Sequence, residues 1–277
     1  MIRQPAVAGH FYQGSRESLK RQVEAFIITG AEKVKALGAL SPHAGLKYSG
    51  SVAGAVYSSI ALPDTVILIG PNHTGLGAPV ALMATGQWET PLGIVDIDER
   101  LAKSILSVSA RIHEDSLAHV QEHSLEVQLP FIQYLKDTFT IVPIQMLDTR
   151  LETCKEVGRA IAVAIRERGR IETDKRLTEH DVLIVASSDM SHYVSADTAK
   201  EKDHKAIRKL LELDPDGLYY TVKEHGISMC GYGPAVAMLV ACKALGATTA
   251  ELIKYTNSGE VSGDFDQVVG YAGVVVR

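Results

Sequence analysis

Apolar positions along this chain fall into short, nearly unbroken runs separated by amphipathic or small-residue stretches. Residues 36–40, 65–69 and 181–186 are almost free of polar alternation. Runs of this kind predict strands covered on both faces, as in a parallel sheet flanked by helices. Between the first two lies an Ala-rich stretch, 49–61, that suits a helix packed closely on a sheet, so 36–69 reads as a βαβ unit. Further strands are expected over 93–97, 138–146, 250–255 and 267–276.

Helical spacing and caps mark the intervening elements. Ser15 caps a helix carrying Leu19, Val23, Phe26 and Ile27, and Asp98 caps one running toward Val108. Residues 124–135, with Leu125, Leu129 and Ile132, predict another helix, as do 151–166, 198–213 and 215–224. Cys230-Gly231-Tyr232-Gly233-Pro234 opens a last helix through Leu245, and the polar stretch 168–180 is expected to be a surface excursion. The pattern gives an α/β fold with a mostly parallel central sheet flanked by helices, in one domain over residues 1–277.

Composition narrows the function classes. The 277 residues are 46% hydrophobic and 22% charged, a balance suited to a large buried core. A net charge of −5 with 28 scattered Lys and Arg leaves no basic stripe for nucleic acid. No apolar stretch approaches the roughly 20 residues that span a bilayer. Met1–Tyr12 has no apolar signal core, so a cytoplasmic protein without membrane contact is expected. Three widely spaced cysteines, Cys154, Cys230 and Cys242, argue for reduced thiols.

The chemistry gathers where the strands end. In open α/β sheets ligands bind beyond the carboxyl ends of the strands. Three predicted strands run into Ser41-Pro42-His43, Gly70-Pro71-Asn72-His73 and Ser187-Ser188-Asp189-Met190-Ser191-His192. Cys230 sits where a loop enters a helix, a position that biases a thiol toward thiolate, the metal-binding form. His43, His73 and Cys230 are therefore the candidate metal ligands. His123 and Glu126, three residues apart, are candidates for the pocket wall, and His10 for its neighbourhood. No phosphate loop, nucleophile elbow, dinucleotide fingerprint or His-Glu-x-x-His helix is present.

The segments Pro42-His43-Ala44-Gly45, Gly70-Pro71-Asn72-His73, Glu122-His123-Ser124-Leu125-Glu126, Ser187-Ser188-Asp189-Met190-Ser191-His192 and Met229-Cys230-Gly231 together resemble the Memo family. Its bacterial and archaeal members are called AmmeMemoRadiSam system protein B. The resemblance extends from Ala8-Gly9-His10-Phe11-Tyr12 to Tyr271-Ala272-Gly273. It implies a fold similar to the class III extradiol dioxygenases, with a non-haem metal site at the strand ends. On that likeness His43, His73 and Cys230 match metal-ligand positions, and Asp189 and His192 match an acid/base pair with His192 as general base. Tyr48 and Phe11 match aromatic wall positions.

A cysteine where the dioxygenases carry a carboxylate softens the donor set, favouring iron or copper, with zinc also acceptable. The expected activity is metal-dependent redox chemistry on an unnamed substrate. The alternative is a module that binds a small molecule or peptide, or delivers a metal, through the same pocket. Metal-assisted hydrolysis on zinc is a third reading. The system label further implies AMMECR-type and radical-SAM protein partners.

Overall fold

The computed structural model describes residues 1–171 and 181–277, so most of the excursion expected over 168–180 lies outside the described residues. The amino-terminal half contributes β1 (Ile2–Arg3), β2 (Gly38–Ser41), β3 (Thr65–Pro71), β4 (Val80–Leu82), β5 (Gln87–Thr90) and β6 (Gly93–Ile97). Then follow β7 (His113–Glu114), β8 (Thr140–Met146), β9 (Val182–Ser187), β10 (His192–Val194), β11 (Ala250–Asn257) and β12 (Val268–Val276). Helices α1 (Arg16–Glu24), α2 (Leu46–Ser58), α3 (Glu99–Val108), α4 (Leu117–Val120) and α5 (Leu129–Leu135) precede α6 (Leu151–Ile171). The last four are α7 (Ala196–Leu211), α8 (Pro215–Glu224), α9 (Tyr232–Ala244) and α10 (Gly259–Ser262).

The strands form one mixed sheet whose main path runs β1-β5-β6-β8-β3-β9-β2-β12-β10. Its centre, β6-β8-β3-β9-β2, is parallel throughout, and β12 closes one side antiparallel to β2, β10 and β11. Every residue of β3 is buried, as its unbroken apolar run requires. Helices cover both faces. A side chain at Gly38 would collide with Met238 and Cys242 of α9, and one at Gly273 with Val52 and Val56 of α2. Closely packed helices on either side thus require glycine on these neighbouring strands. Because the central strands share one direction, β2, β3 and β9 all deliver their carboxyl ends to the same edge.

Local signals placed most elements correctly. Ser15 Oγ accepts from Ser18 N at 3.4 Å and Asp98 Oδ1 from Leu101 N at 3.0 Å, so both caps form as expected. Helix α1 stops before Phe26 and Ile27, which lie in the following turn. The helix expected over 124–135 divides into a 3₁₀ turn, Glu126–Gln128, and α5. Pro130 is the reason: its ring and missing N–H are tolerated only in the first turn, so the α-helix has to start beside it. The predicted 151–166 helix continues to Ile171. Strands β1, β4, β5, β7 and β10 were not anticipated; each has two to four residues, too few to display a period. No helix among the described residues is long and apolar enough to cross a membrane.

Candidate metal centre

His43 and His73 each follow a parallel strand, two residues past β2 and β3, while His123 lies between α4 and the 3₁₀ turn. One ring nitrogen from each of these three side chains lies within 4.8 Å of the other two. The ring centroids are 5.2 Å apart for His43 and His73, 5.5 Å for His43 and His123, and 4.8 Å for His73 and His123. His43 is buried, His123 half-buried and His73 exposed, so the cluster opens to solvent on the His73 side.

Glu122 holds two of the rings. Its Oε1 accepts from His73 Nδ1 at 3.0 Å, and from the backbone N–H groups of His123 and Ser124, each at 2.9 Å. The same oxygen is 3.3 Å from His123 Nδ1, and Oε2 accepts from His73 N at 2.5 Å. Burial alone would raise the Glu122 pKa, but the His73 and Ser124 bonds and the nearby His123 ring outweigh it and hold the carboxyl at about 2. An ionised carboxylate can only accept, so His73 carries its proton on Nδ1 and leaves Nε2 as the donor atom. Burial, reinforced by His123, His73 and His192, pushes the His43 pKa well below its ordinary value. Burial likewise lowers that of His123. A metal binds imidazole through an unprotonated ring nitrogen, and three ring nitrogens converge here, so this donor set fits a metal ion.

Cys230 stands beside the group. Its Sγ lies 3.2 Å from His43 Nε2 and 3.3 Å from Asp189 N, but the mutually close set of donors contains His123 in its place. The expected thiolate bias is reversed. Burial and the neighbouring Asp189 push this thiol well above its ordinary pKa, outweighing the donors from the Asp189 and Gly231 backbone. Asp189 is 4% exposed, and burial raises its pKa to about 6 against the His43 and Ala44 N–H groups that its Oδ1 accepts from at 2.8 and 3.2 Å.

The remaining expectations meet mixed geometry. The resemblance pairs His192 with Asp189. The His192 Nδ1 instead faces Ser228 O at 2.9 Å, and its N–H donates to Ser228 Oγ at 2.7 Å. A carbonyl can only accept, so Nε2 of His192 is free of its proton when the ring is neutral. Phe11 packs on the His123 ring with centroids 4.7 Å apart, and Tyr48 is half-buried with Lys47 Nζ 5.4 Å from its ring. Glu126 does not line the pocket. It is fully buried and accepts from Arg3, from the Ala6 and Val7 N–H groups at 2.7 and 3.1 Å, and from the Tyr12 hydroxyl at 2.5 Å. A carboxylate engaged by a buried guanidinium and three further donors is a structural anchor. Glu122, Gln128, Ser187 and Ser228 had no assigned role in the sequence; Glu122, adjoining His123, and Ser187, at a strand end, offered a signal.

A family model described as Memo-like protein matches residues 3–275. The chain belongs to the Memo-like family. A MEMO1 family protein of Methanothermobacter thermautotrophicus is 42% identical, covering 98% of this chain and 99% of its own. One from Methanosarcina barkeri is 44% identical over the whole of both chains, and one from Aquifex aeolicus is 42% identical over 99% and 98%. Among solved structures, an uncharacterized protein from Escherichia coli K12 is similar in fold, with a TM-score of 0.52 and 14% identity over 86% of this chain and 98% of that one.

Proposed function

We propose that this Memo-like protein is a metal-dependent redox enzyme whose centre is held by His43, His73 and His123, with the Cys230 thiol beside His43 available as a further donor. The observation that carries the reading is the convergence of three ring nitrogens within 4.8 Å. Iron or copper suits a nitrogen-rich set flanked by sulfur, and zinc suits it as well. Bound iron or copper would supply a Lewis-acidic, redox-active centre, and zinc Lewis acidity alone. The resemblance to class III extradiol dioxygenases supports an oxidative role, with a substrate entering on the open His73 side.

The chain's own groups do the rest. His192 receives or returns a proton at Nε2, the nitrogen left free by the Ser228 carbonyl. Asp189 fixes the His43 loop through two backbone N–H groups instead of orienting His192. Phe11, packed on the His123 ring, and Tyr48 would flank a bound substrate, and the system label supports AMMECR-type and radical-SAM partners.

The test is elemental analysis and titration of anaerobically purified protein, beside His43→Ala, His73→Ala, His123→Ala and Cys230→Ala. Stoichiometric iron or copper lost in the three histidine variants supports the centre. Binding indifferent to all four sinks it. Tight metal without oxygen uptake on phenolic or thiol substrates would favour metal delivery over catalysis.

A further inference from the structure

The third histidine has no carboxylate on its ring. His43 Nδ1 lies 2.9 Å from the hydroxyl of Ser187, the last residue of β9, and Ser187 is fully buried. That hydroxyl has three close polar neighbours: Ser124 O at 2.6 Å, Gln128 Nε2 at 2.9 Å and the His43 ring. A hydroxyl offers one hydrogen and two lone pairs, so three partners use all of its capacity. The Ser124 carbonyl can only accept, and it takes the hydrogen. The Gln128 amide nitrogen can only donate, and it takes one lone pair.

The direction of the Gln128 amide is set independently. Its Nε2 also donates to Pro42 O at 2.9 Å, and its Oε1 accepts from the Tyr57 hydroxyl at 2.9 Å. Only one lone pair of Ser187 Oγ then remains for His43, so Nδ1 must carry a proton. With Nδ1 protonated in the neutral ring, Nε2 presents its lone pair, and Nε2 is the atom beside Cys230. The opposite tautomer would set two lone pairs against each other 2.9 Å apart, or force Ser187 to abandon a carbonyl 2.6 Å away. Either way a buried hydrogen bond is lost.

We infer that Ser187, held in one orientation by Ser124, Gln128 and Tyr57, is the positioning residue that selects the Nδ1–H tautomer of His43 and so directs Nε2 to the metal. This rests on the metal reading above. The arrangement divides the work by burial: a charged carboxylate serves the rings nearer solvent, while a neutral hydroxyl serves the buried ring without adding a further buried charge.

Long-range ¹H–¹⁵N NMR of metal-free, ¹⁵N-histidine-labelled protein at pH 8 tests this directly, the His43 signals being assigned by their loss in His43→Gln. Wild type is expected to show the Nδ1–H pattern. Ser187→Ala, with its amide spectrum confirming the fold, is expected to lose that pattern as the major form, and Gln128→Ala to lose it in part. Zinc titration should then show about 10–100-fold weaker binding for Ser187→Ala, the usual cost of removing such a partner. A wild-type Nε2–H pattern, or a Ser187→Ala variant with tautomer and zinc affinity unchanged, overturns the inference. The tautomer is read without metal. Failure of wild type to bind any metal would therefore sink the metal reading separately from the NMR result.

Discussion

Glu122 accepts from one imidazole and three backbone N–H groups and lies 3.3 Å from a second imidazole, so its charge and its two-oxygen geometry both matter. Glu122→Gln keeps the shape but turns an amide toward donors. Metal affinity should fall about 10–100-fold, and stability by about 1–3 kcal/mol for the unsatisfied buried groups. Titration and urea unfolding of the same variant check the two effects. His119 is a different case. It is fully buried against Trp88, and the Ala81 backbone lies beside its ring without completing a hydrogen bond to either nitrogen. Burial, with Arg3 adding to it, lowers its pKa from 6.5 to about 3. Above pH 6.5 the ring is neutral both folded and unfolded. Between 6.5 and 3 the unfolded chain takes a proton that the folded protein refuses, so stability falls as pH falls, by about 1.4 kcal/mol per unit. His119→Leu should flatten this acid limb; urea midpoints measured from pH 7 to 4 would show it, and an unchanged slope would refute it.

At the scale of elements, the short strand β1 pins the segment that carries the site. Arg3 is 2% exposed and lies 4.3 Å over the Trp88 ring. It donates through Nε to His119 O at 2.8 Å, through Nη2 to Glu122 O at 2.6 Å and through Nη1 to Glu126. One guanidinium thus ties the amino-terminal strand to α4, to Glu122 and to the 3₁₀ turn. Arg3→Ala leaves a buried carboxylate without its cation, and a loss of about 3–5 kcal/mol is expected. Arg3→Met combined with Glu126→Gln removes both charges and should recover part of that loss. Denaturant unfolding of the single and double variants decides the point; a double variant weaker than the sum of its parts would contradict it.

For the molecule as a whole, the three histidines come from segments 30 to 80 residues apart that meet only in the assembled sheet, as the numbering His43, His73 and His123 shows. An ion held by all three binds the folded state and not the unfolded chain. Zinc at about 100 times its dissociation constant should stabilise wild type by about 2.7 kcal/mol. His43→Ala should lose that stabilisation. Thermal unfolding with and without the ion measures it, and an equal shift in both proteins would mean that the metal binds elsewhere.

Local rules settled much of this protein in advance. Strands covered on both faces announce themselves as unbroken apolar runs, caps at Ser15 and Asp98 depend on neighbours three residues away, and the strand-end positions of His43, His73 and Asp189 follow from the runs that precede them. Which of those residues meet was decided by the sheet order. Cys230 reaches His43 across 187 positions, Arg3 reaches Glu126 across 123, and Ser187 reaches His43 across 144. The three-residue spacing of His123 and Glu126 placed them on one segment but not on one side of it: the first joins the cluster and the second is drawn inward by Arg3. Periodicity and capping are properties of adjacent residues. The partner of a buried polar group is chosen by whatever donor or acceptor the tertiary packing brings within 3 Å, and no local pattern records that choice.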